Sequence, residues 1–219
     1  MNYILNIETA TKNCSVSLAK EGKTIICKEI AELGYSHAEK LHVFISEIIS
    51  EAGISYADLK AVAISSGPGS YTGLRIGVSA AKGLCFALGL PMISVDTLTS
   101  LANQVFQTDG LIIPMIDARR MEVYSAIFDS KKEMIRAVKA EILSENSFSS
   151  ITEKIYIVGD SSEKAKTVLT TPNFIFLDEI QHPSAREMSL LSYSKFRKSD
   201  FVDLAYFEPY YLKDFMFAK

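Results

Sequence analysis

Tyr3-Ile4-Leu5-Asn6-Ile7 runs into Glu8, Ser15-Val16-Ser17-Leu18 follows after a short turn, and Glu21-Gly22 leads on to Thr24-Ile25-Ile26. Short apolar and β-branched runs separated by turn residues read as a three-stranded β-meander. The pattern returns about a hundred residues later. Ile112-Ile113-Pro114-Met115-Ile116 ends in Asp117, Val123-Tyr124-Ser125-Ala126-Ile127-Phe128 follows, and Ser130-Lys131-Lys132 turns into a run from Met134 to Ile142. Both copies are strand, acidic residue, turn, strand, turn, strand. This internal echo predicts a duplicated α/β architecture, each half opening on a meander and then adding helices.

Working outward, two long helices are expected between the meanders. Ser36 with Glu39 forms a capping box, and Ala38, Leu41, Phe44, Ile45, Ile48, Ile49 and Ala52 follow at helical spacing until Gly53 offers a C-cap. Ala61-Val62-Ala63-Ile64 reads as a buried strand. Its exit is the most distinctive segment of the chain, Ser65-Ser66-Gly67-Pro68-Gly69-Ser70-Tyr71-Thr72-Gly73-Leu74-Arg75-Ile76-Gly77. A helix from about Ser70 to Leu88 carries Gly73, Gly77 and Ala81 on one side, and Leu90-Pro91 ends it. A strand over Met92 to Val95 and a helix from Asp96 or Thr97 to about Val105 complete the first half. The second half is thinner: beyond its meander come a short polar segment, the run Tyr156 to Asp160, a helix near Ser162 to Leu169, Phe174 to Leu177, and a helix from Ser184 to Arg197. An aromatic tail, Tyr206 to Asp214, closes the chain. The lobes are placed at residues 1–105 and 106–219.

Composition narrows the function. With 219 residues and 48% hydrophobic content, a packed core is readily supported. Apolar stretches break before the roughly 20 residues of a membrane span, and the start has no basic leader with a cleavage site. A cytoplasmic protein without membrane attachment is therefore expected. Cys14, Cys27 and Cys85 lack C-x-x-C spacing and are read as small buried hydrophobes. The net charge is −3 and the basic residues are dispersed, so nucleic acid is not expected to be bound by this chain alone.

Several segments could carry chemistry. Gly67, Pro68, Gly69, Ser70 and Gly73, between a strand and a helix, form a phosphate-loop-like turn, because glycine lets the backbone approach and a helix start offers free N–H groups. A tight turn with close helix packing is the alternative. No Gly-Lys-Ser/Thr follows and no G-x-G-x-x-G is present. Glu8 with Thr9, and Asp117 with Arg119, end matching strands where carboxylates in facing lobes could hold a metal–nucleotide pair. Yet Thr9 to Asn13 has no glycine and the turn after Asp117 carries arginines, so these positions read as a degraded nucleotide site. His37 and His42 are five apart, about 140° around a helix, and do not share a metal. His182 is read as a surface histidine. No catalytic residue and no metal site is assigned.

The segments Ile4 to Thr11 with Cys14-Ser15-Val16, Gly67 to Gly77, Ile116-Asp117-Ala118-Arg119 with Glu122-Val123-Tyr124, and Glu208-Pro209-x-Tyr211-Leu212 occur in order from end to end. Together they resemble the TsaB family, also called YeaZ, within the Gcp-like or glycoprotease (peptidase M22-like) superfamily. The resemblance implies an actin-like (ASKHA, Hsp70- and sugar-kinase-like) ATPase fold of two RNase H-like lobes, the second reduced. It implies a non-catalytic subunit that binds and activates TsaD, with TsaE joining as an ATPase. The complex transfers a threonylcarbamoyl group to N6 of the adenosine 3′ of the anticodon in tRNAs reading codons that begin with A. The chain would have no cofactor of its own, ATP or ADP and metal belonging to the partner subunits, and would meet tRNA only through the complex. The two N-lobe helices are implied to form the heterodimer face. Candidates on it are Leu41, Ile45, Ile48, Gly73, Ile76, Gly77, Ala80, Ala81 and Leu84, and a charge at Gly77 is expected to weaken the pair. A homodimer through the same face is a further expectation for the lone chain. The alternative is an autonomous metal-dependent glycoprotease or kinase-like ATPase of the same fold.

Overall fold

The structure is a computed structural model that describes residues 1–31, 37–106 and 109–212. Ser36 of the expected capping box, and Lys213 and Asp214 of the aromatic tail, lie outside the described residues. The first half contains β1 (Tyr3–Glu8), β2 (Asn13–Lys20), β3 (Lys23–Ala31), α1 (His37–Glu51), β4 (Leu59–Ser65), α2 (Tyr71–Leu88), β5 (Met92–Val95) and α3 (Thr97–Ala102). The second contains β6 (Leu111–Asp117), β7 (Glu122–Phe128), β8 (Met134–Ile142), β9 (Ile155–Val158), α4 (Ser162–Lys166), β10 (Phe174–Phe176) and α5 (Ala185–Arg197).

The two sheets have the same topology. One is ordered β3-β2-β1-β4-β5 and the other β8-β7-β6-β9-β10. In each, an antiparallel meander is followed by two strands parallel to its first strand, with Leu5 opposite Val62 and Ile113 opposite Ile157. The first lobe is fully equipped and the second is cut down. Where α1 lies between β3 and β4, the second lobe has an irregular stretch between β8 and β9, from which Leu143, Phe148 and Ile151 plug the core. In place of α2's 18 residues stands α4 with five.

Helix ends follow local chemistry. Ser70 accepts the Gly73 N–H to start α2, and Gly89 at φ +65° stops it in a left-handed conformation that costs glycine little. Ser184 starts α5 by accepting the Arg186 N–H. The expected helices at Thr97 to Val105 and Ser162 to Leu169 are shorter than the periodicity promised, continuing only as single turns. Among the described residues no helix is long and apolar enough to cross a membrane.

Packing exchanges the helices between lobes. On one face of the first sheet, Leu41, Ile45 and Ile48 of α1 and Val78, Ala81 and Cys85 of α2 pack on Leu5, Ile7, Val16 and Ile64. Each leucine, isoleucine and valine among them contributes about 1.5–3 kcal/mol on burial. The opposite face is covered by α5 from the far end of the chain, Ala185 and Met188 meeting Ile4, Ala61, Ala63 and Ile93. Conversely, Leu98, Leu101 and Ala102 of α3 pack on Ile112, Ile116, Phe128 and Val158 of the second sheet. The α5 contact also contains a polar seam: Asn6 donates to the Ser17 and Ser189 hydroxyls and accepts from Ser192, while Ser17 donates to the Ala185 carbonyl.

Candidate functional site

The C-terminal ends of β1, β4, β6 and β9 bring together the loops singled out in the sequence. The glycine-rich turn leaves β4 through a cis Gly67–Pro68 bond and meets the β1–β2 turn of its own lobe. A Cβ on Gly69 would lie 2.3 Å from the Ala10 carbonyl oxygen, and one on Gly73 2.1 Å from that of Thr9. The contact is also hydrogen-bonded: the Ser70 N–H donates to the Ala10 carbonyl at 2.7 Å, and the Thr9 hydroxyl to the Gly73 carbonyl at 2.8 Å. The small stripe along α2 continues the contact, for a Cβ on Gly77 would meet the Thr9 hydroxyl at 2.2 Å and Ile64 at 2.9 Å. These glycines are needed because another piece of the same chain lies against them.

Behind this turn, Glu8 is fully buried. One carboxyl oxygen accepts the Ala10 N–H at 2.6 Å and the other has no partner among the described residues. Burial pushes its pKa from 4.5 to about 7, and the nearby Asp96 carboxyl adds to the rise while hydrogen bonds oppose it. Asp96, itself raised by burial, caps α3 by accepting the Thr99 N–H. Ser65 and Thr97 share a hydroxyl hydrogen bond of 2.7 Å, and Thr97 also receives the Gly67 N–H. His37, at the start of α1, is buried with its Nε2 2.8 Å from the Thr11 carbonyl, so it braces the same turn. His42 is exposed.

The second lobe presents the equivalent hairpin turn. Asp117 is exposed at the end of β6 and ion-paired with Lys164, whose ammonium also caps the Arg120 and Glu122 carbonyls. Its N–H donates to Asp160, which burial pushes up to about 6 with a further rise from Asp117 and opposition from Lys12 and Lys164. Arg119 and Arg120 are exposed with φ of 73° and 50°, a conformation uncommon for arginine.

The metal–nucleotide pair for which these carboxylates are candidates does not fit these residues. The one buried carboxylate of the first turn faces its own backbone, the approach to that turn is filled by Gly69 and Ser70, and Lys164 closes the second turn. Glu8 ends β1 and Thr9 follows it, Asp117 ends β6 and Arg119 lies in the turn after it, and neither pair forms a cradle.

The helical face differs from its sequence outline. Leu41, Ile45, Ile48, Gly73, Gly77, Ala80 and Ala81 are buried in the chain's own core, and Ile76 and Leu84 are half-buried against it. What α1 and α2 turn outward includes Val43, 47% exposed, and Phe86, 84% exposed. Sequence reasoning passed over both, although an aromatic residue on the polar side of an amphipathic helix was a usable signal. The tail runs along α2: Lys82 donates to the Ala205 carbonyl, Arg75 stacks on Tyr71 at 4.1 Å and donates to the Tyr211 hydroxyl, and the Tyr210 N–H reaches the Ser66 carbonyl. Two further readings are corrected. Cys27 is half-buried, unlike Cys14 and Cys85, because β3 is an edge strand. His182 is half-buried rather than on the surface, its loop folding beneath α5.

Comparison with known proteins places this geometry. Residues 30–210 match the family model described as "TsaD: tRNA N6-adenosine threonylcarbamoyltransferase". The tRNA threonylcarbamoyladenosine biosynthesis protein TsaB of Escherichia coli strain K12 is 30% identical over 221 residues, covering 96% of this chain and 94% of that protein. The Bacillus subtilis strain 168 protein of the same name is 29% identical, covering 88% and 87%. The solved structure of YeaZ from Pseudomonas aeruginosa superposes with a TM-score of 0.81 at 27% identity, covering 97% of this chain and all of that one. The ethanolamine utilization protein EutJ from Carboxydothermus hydrogenoformans, at TM-score 0.52 and 12% identity, shares the actin-like fold alone. The chain therefore belongs to the family whose model it matches and, within it, to the TsaB (YeaZ) group, on an actin-like α/β fold of two RNase H-like lobes.

Proposed function

We propose that this chain is the non-catalytic subunit of a tRNA threonylcarbamoyladenosine-forming complex, binding and activating a TsaD homologue through the outer face of α1 and α2. The reading rests on the group to which the chain belongs, and one observation carries it to this surface. Phe86 stands 84% exposed on a helix whose Gly73, Gly77 and Ala81 are engaged internally, and large exposed aromatics are typical anchors of protein interfaces. The engaged turn beside Glu8 speaks against nucleotide chemistry by this chain alone. In this reading the lobes at 1–105 and 106–219 divide the work, the first meeting TsaD. TsaE and tRNA join through the complex, and the setting is the cytoplasm.

A charge at Gly77 would strike Thr9 and Ile64 inside the chain, so the face is better tested at Phe86. Phe86→Glu should leave far-ultraviolet circular dichroism and melting temperature unchanged. It should reduce TsaD capture in a pull-down about tenfold or more, together with threonylcarbamoylation of tRNA by the reconstituted complex. Unimpaired capture sinks the assignment of the face; robust metal-dependent ATP or peptide hydrolysis by the pure chain sinks the non-catalytic reading. Self-association that vanishes in Phe86→Glu would assign the face to a second copy instead.

A further inference from the structure

A cleft of about 480 Å³ opens between the lobes, beside the end of the β1–β2 turn at Asn13 and lined by no residue of α1 or α2. Asn13 at the head of β2 and Glu29 near the end of β3 form one wall; Gln104 after α3, His182 and the first turn of α5 with Arg186 and Glu187 form the others. Its volume falls in the range of roughly 300–1,000 Å³ common for small-molecule sites.

The walls are built by hydrogen bonds between distant segments. Asn13 donates to the Pro183 carbonyl at 3.0 Å, Gln104 to the His182 carbonyl at 2.8 Å, and the Ser184 hydroxyl to Glu29 Oε2 at 2.6 Å. That Glu29 oxygen also receives Asn13 and Ser15. Two polar atoms are left over. Glu187 Oε2 and His182 Nδ1 are buried and have no hydrogen-bond partner among the described residues. Burial, and to a lesser extent the Glu29 carboxylate, raise the pKa of Glu187, while its own backbone, the Arg186 guanidinium and the Ser184 hydroxyl oppose the rise. Burial, and then the Lys12 charge, lower the pKa of His182, disfavouring a charged ring.

The charges decide the sign of a ligand. Exposed Glu179 brings the lining to three carboxylates against one guanidinium, Arg186, which makes no ion pair among the described residues. Lys132, whose ammonium feels the Glu187 carboxylate, is held by the Asn103 carbonyl at 3.0 Å. The excess of carboxylates in the lining and the unpartnered Glu187 oxygen call for a donor-rich cation. A bare metal ion is disfavoured, since no group of three ligand side chains converges among the described residues.

We infer that this cleft binds a small organic cation, a primary ammonium or guanidinium compound, whose N–H groups bridge Glu29 and Glu187. The inference is independent of the proposed function. Because both lobes line the cleft, occupancy clamps them together and stabilises the fold.

The test is isothermal titration calorimetry on the full chain with spermidine as the ammonium probe and agmatine as the guanidinium probe. At least one should bind saturably at one site and raise the melting temperature. Glu187→Gln should weaken binding about tenfold or more, while Glu145→Gln, an exposed acid elsewhere, should leave it unchanged. Glu179→Gln gives a second reading should Glu187→Gln fail to fold by circular dichroism. The probe that binds more tightly identifies the head group. Absence of saturable binding with both probes, or equal affinity in the parent and both cleft variants, overturns the proposal.

Discussion

Replacing Glu8 by glutamine should make the protein more stable, by an amount that grows as pH rises above about 4.5 and levels off above about 7. The side chain is wholly buried, has no cation beside it, and leaves one oxygen without a partner. Its pKa rises from 4.5 to about 7 on folding. A carboxyl whose folded value is raised is equally protonated in both states at low pH, so nothing is lost below the unfolded value. As pH climbs from 4.5 through about 7, the unfolded chain ionises first and stability falls. At about 1.4 kcal/mol per pH unit, that interval gives a loss on the order of 3 kcal/mol by pH 8.5. Glutamine keeps the acceptor for the Ala10 N–H and cannot ionise. Parent and Glu8→Gln should therefore denature alike near pH 4.5, and the variant should be more stable by about 2–3 kcal/mol at pH 8.5. The chain has no tryptophan, so urea unfolding is followed by far-ultraviolet circular dichroism across a pH series. Other titrating groups, Asp96 included, largely cancel in the difference between the two proteins. A difference that stays flat with pH, or a glutamine variant less stable throughout, refutes the picture of an uncompensated buried acid.

Three other outcomes follow from named contacts. Gly73→Ala places a methyl 2.1 Å from the Thr9 carbonyl oxygen and should cost about 1–3 kcal/mol or more in urea unfolding, whereas Gly83→Ala, with nothing near its Cβ, should be stabilising as helix propensity dictates. Asn6→Ala leaves the Ser17, Ser189 and Ser192 hydroxyls without their shared partner; at about 1–3 kcal/mol for a stranded buried group, a loss of about 2–4 kcal/mol is expected, with amide exchange rising first in α5. Lys164→Met releases Asp117 and the Arg120 and Glu122 carbonyls, so hydrogen exchange should quicken at residues 117–122 while β1 and β2 stay protected.

The fold was largely legible because its signals are local. Short apolar strands, the helix starts near Ser70 and Ser184, the Leu90-Pro91 stop and the repeated strand–acid–turn pattern each depend on a few neighbouring residues. The candidate site was legible in its members and misread in its geometry. Leu41, Ile45 and Ile48 were placed on a partner face although their own sheet claims them, and Gly73 and Gly77 serve the β1–β2 turn. A stripe of small or apolar residues says that something packs there; it does not say what.

By itself, the sequence determined a duplicated α/β chain, its element order, its helix boundaries to within a few residues, and a charge pattern without a basic surface. Only the tertiary structure decided which surfaces are consumed internally: that α3 and α5 cross to the opposite lobe's sheet, that the glycine-rich turn is filled by Thr9 and Ala10, that Phe86 points outward, and that His182 lines a cleft with Glu187. The reason is physical. Backbone hydrogen bonding and side-chain periodicity are set within a few residues along the chain, whereas burial depends on segments that meet across more than a hundred, as Asn6 meets Ser192.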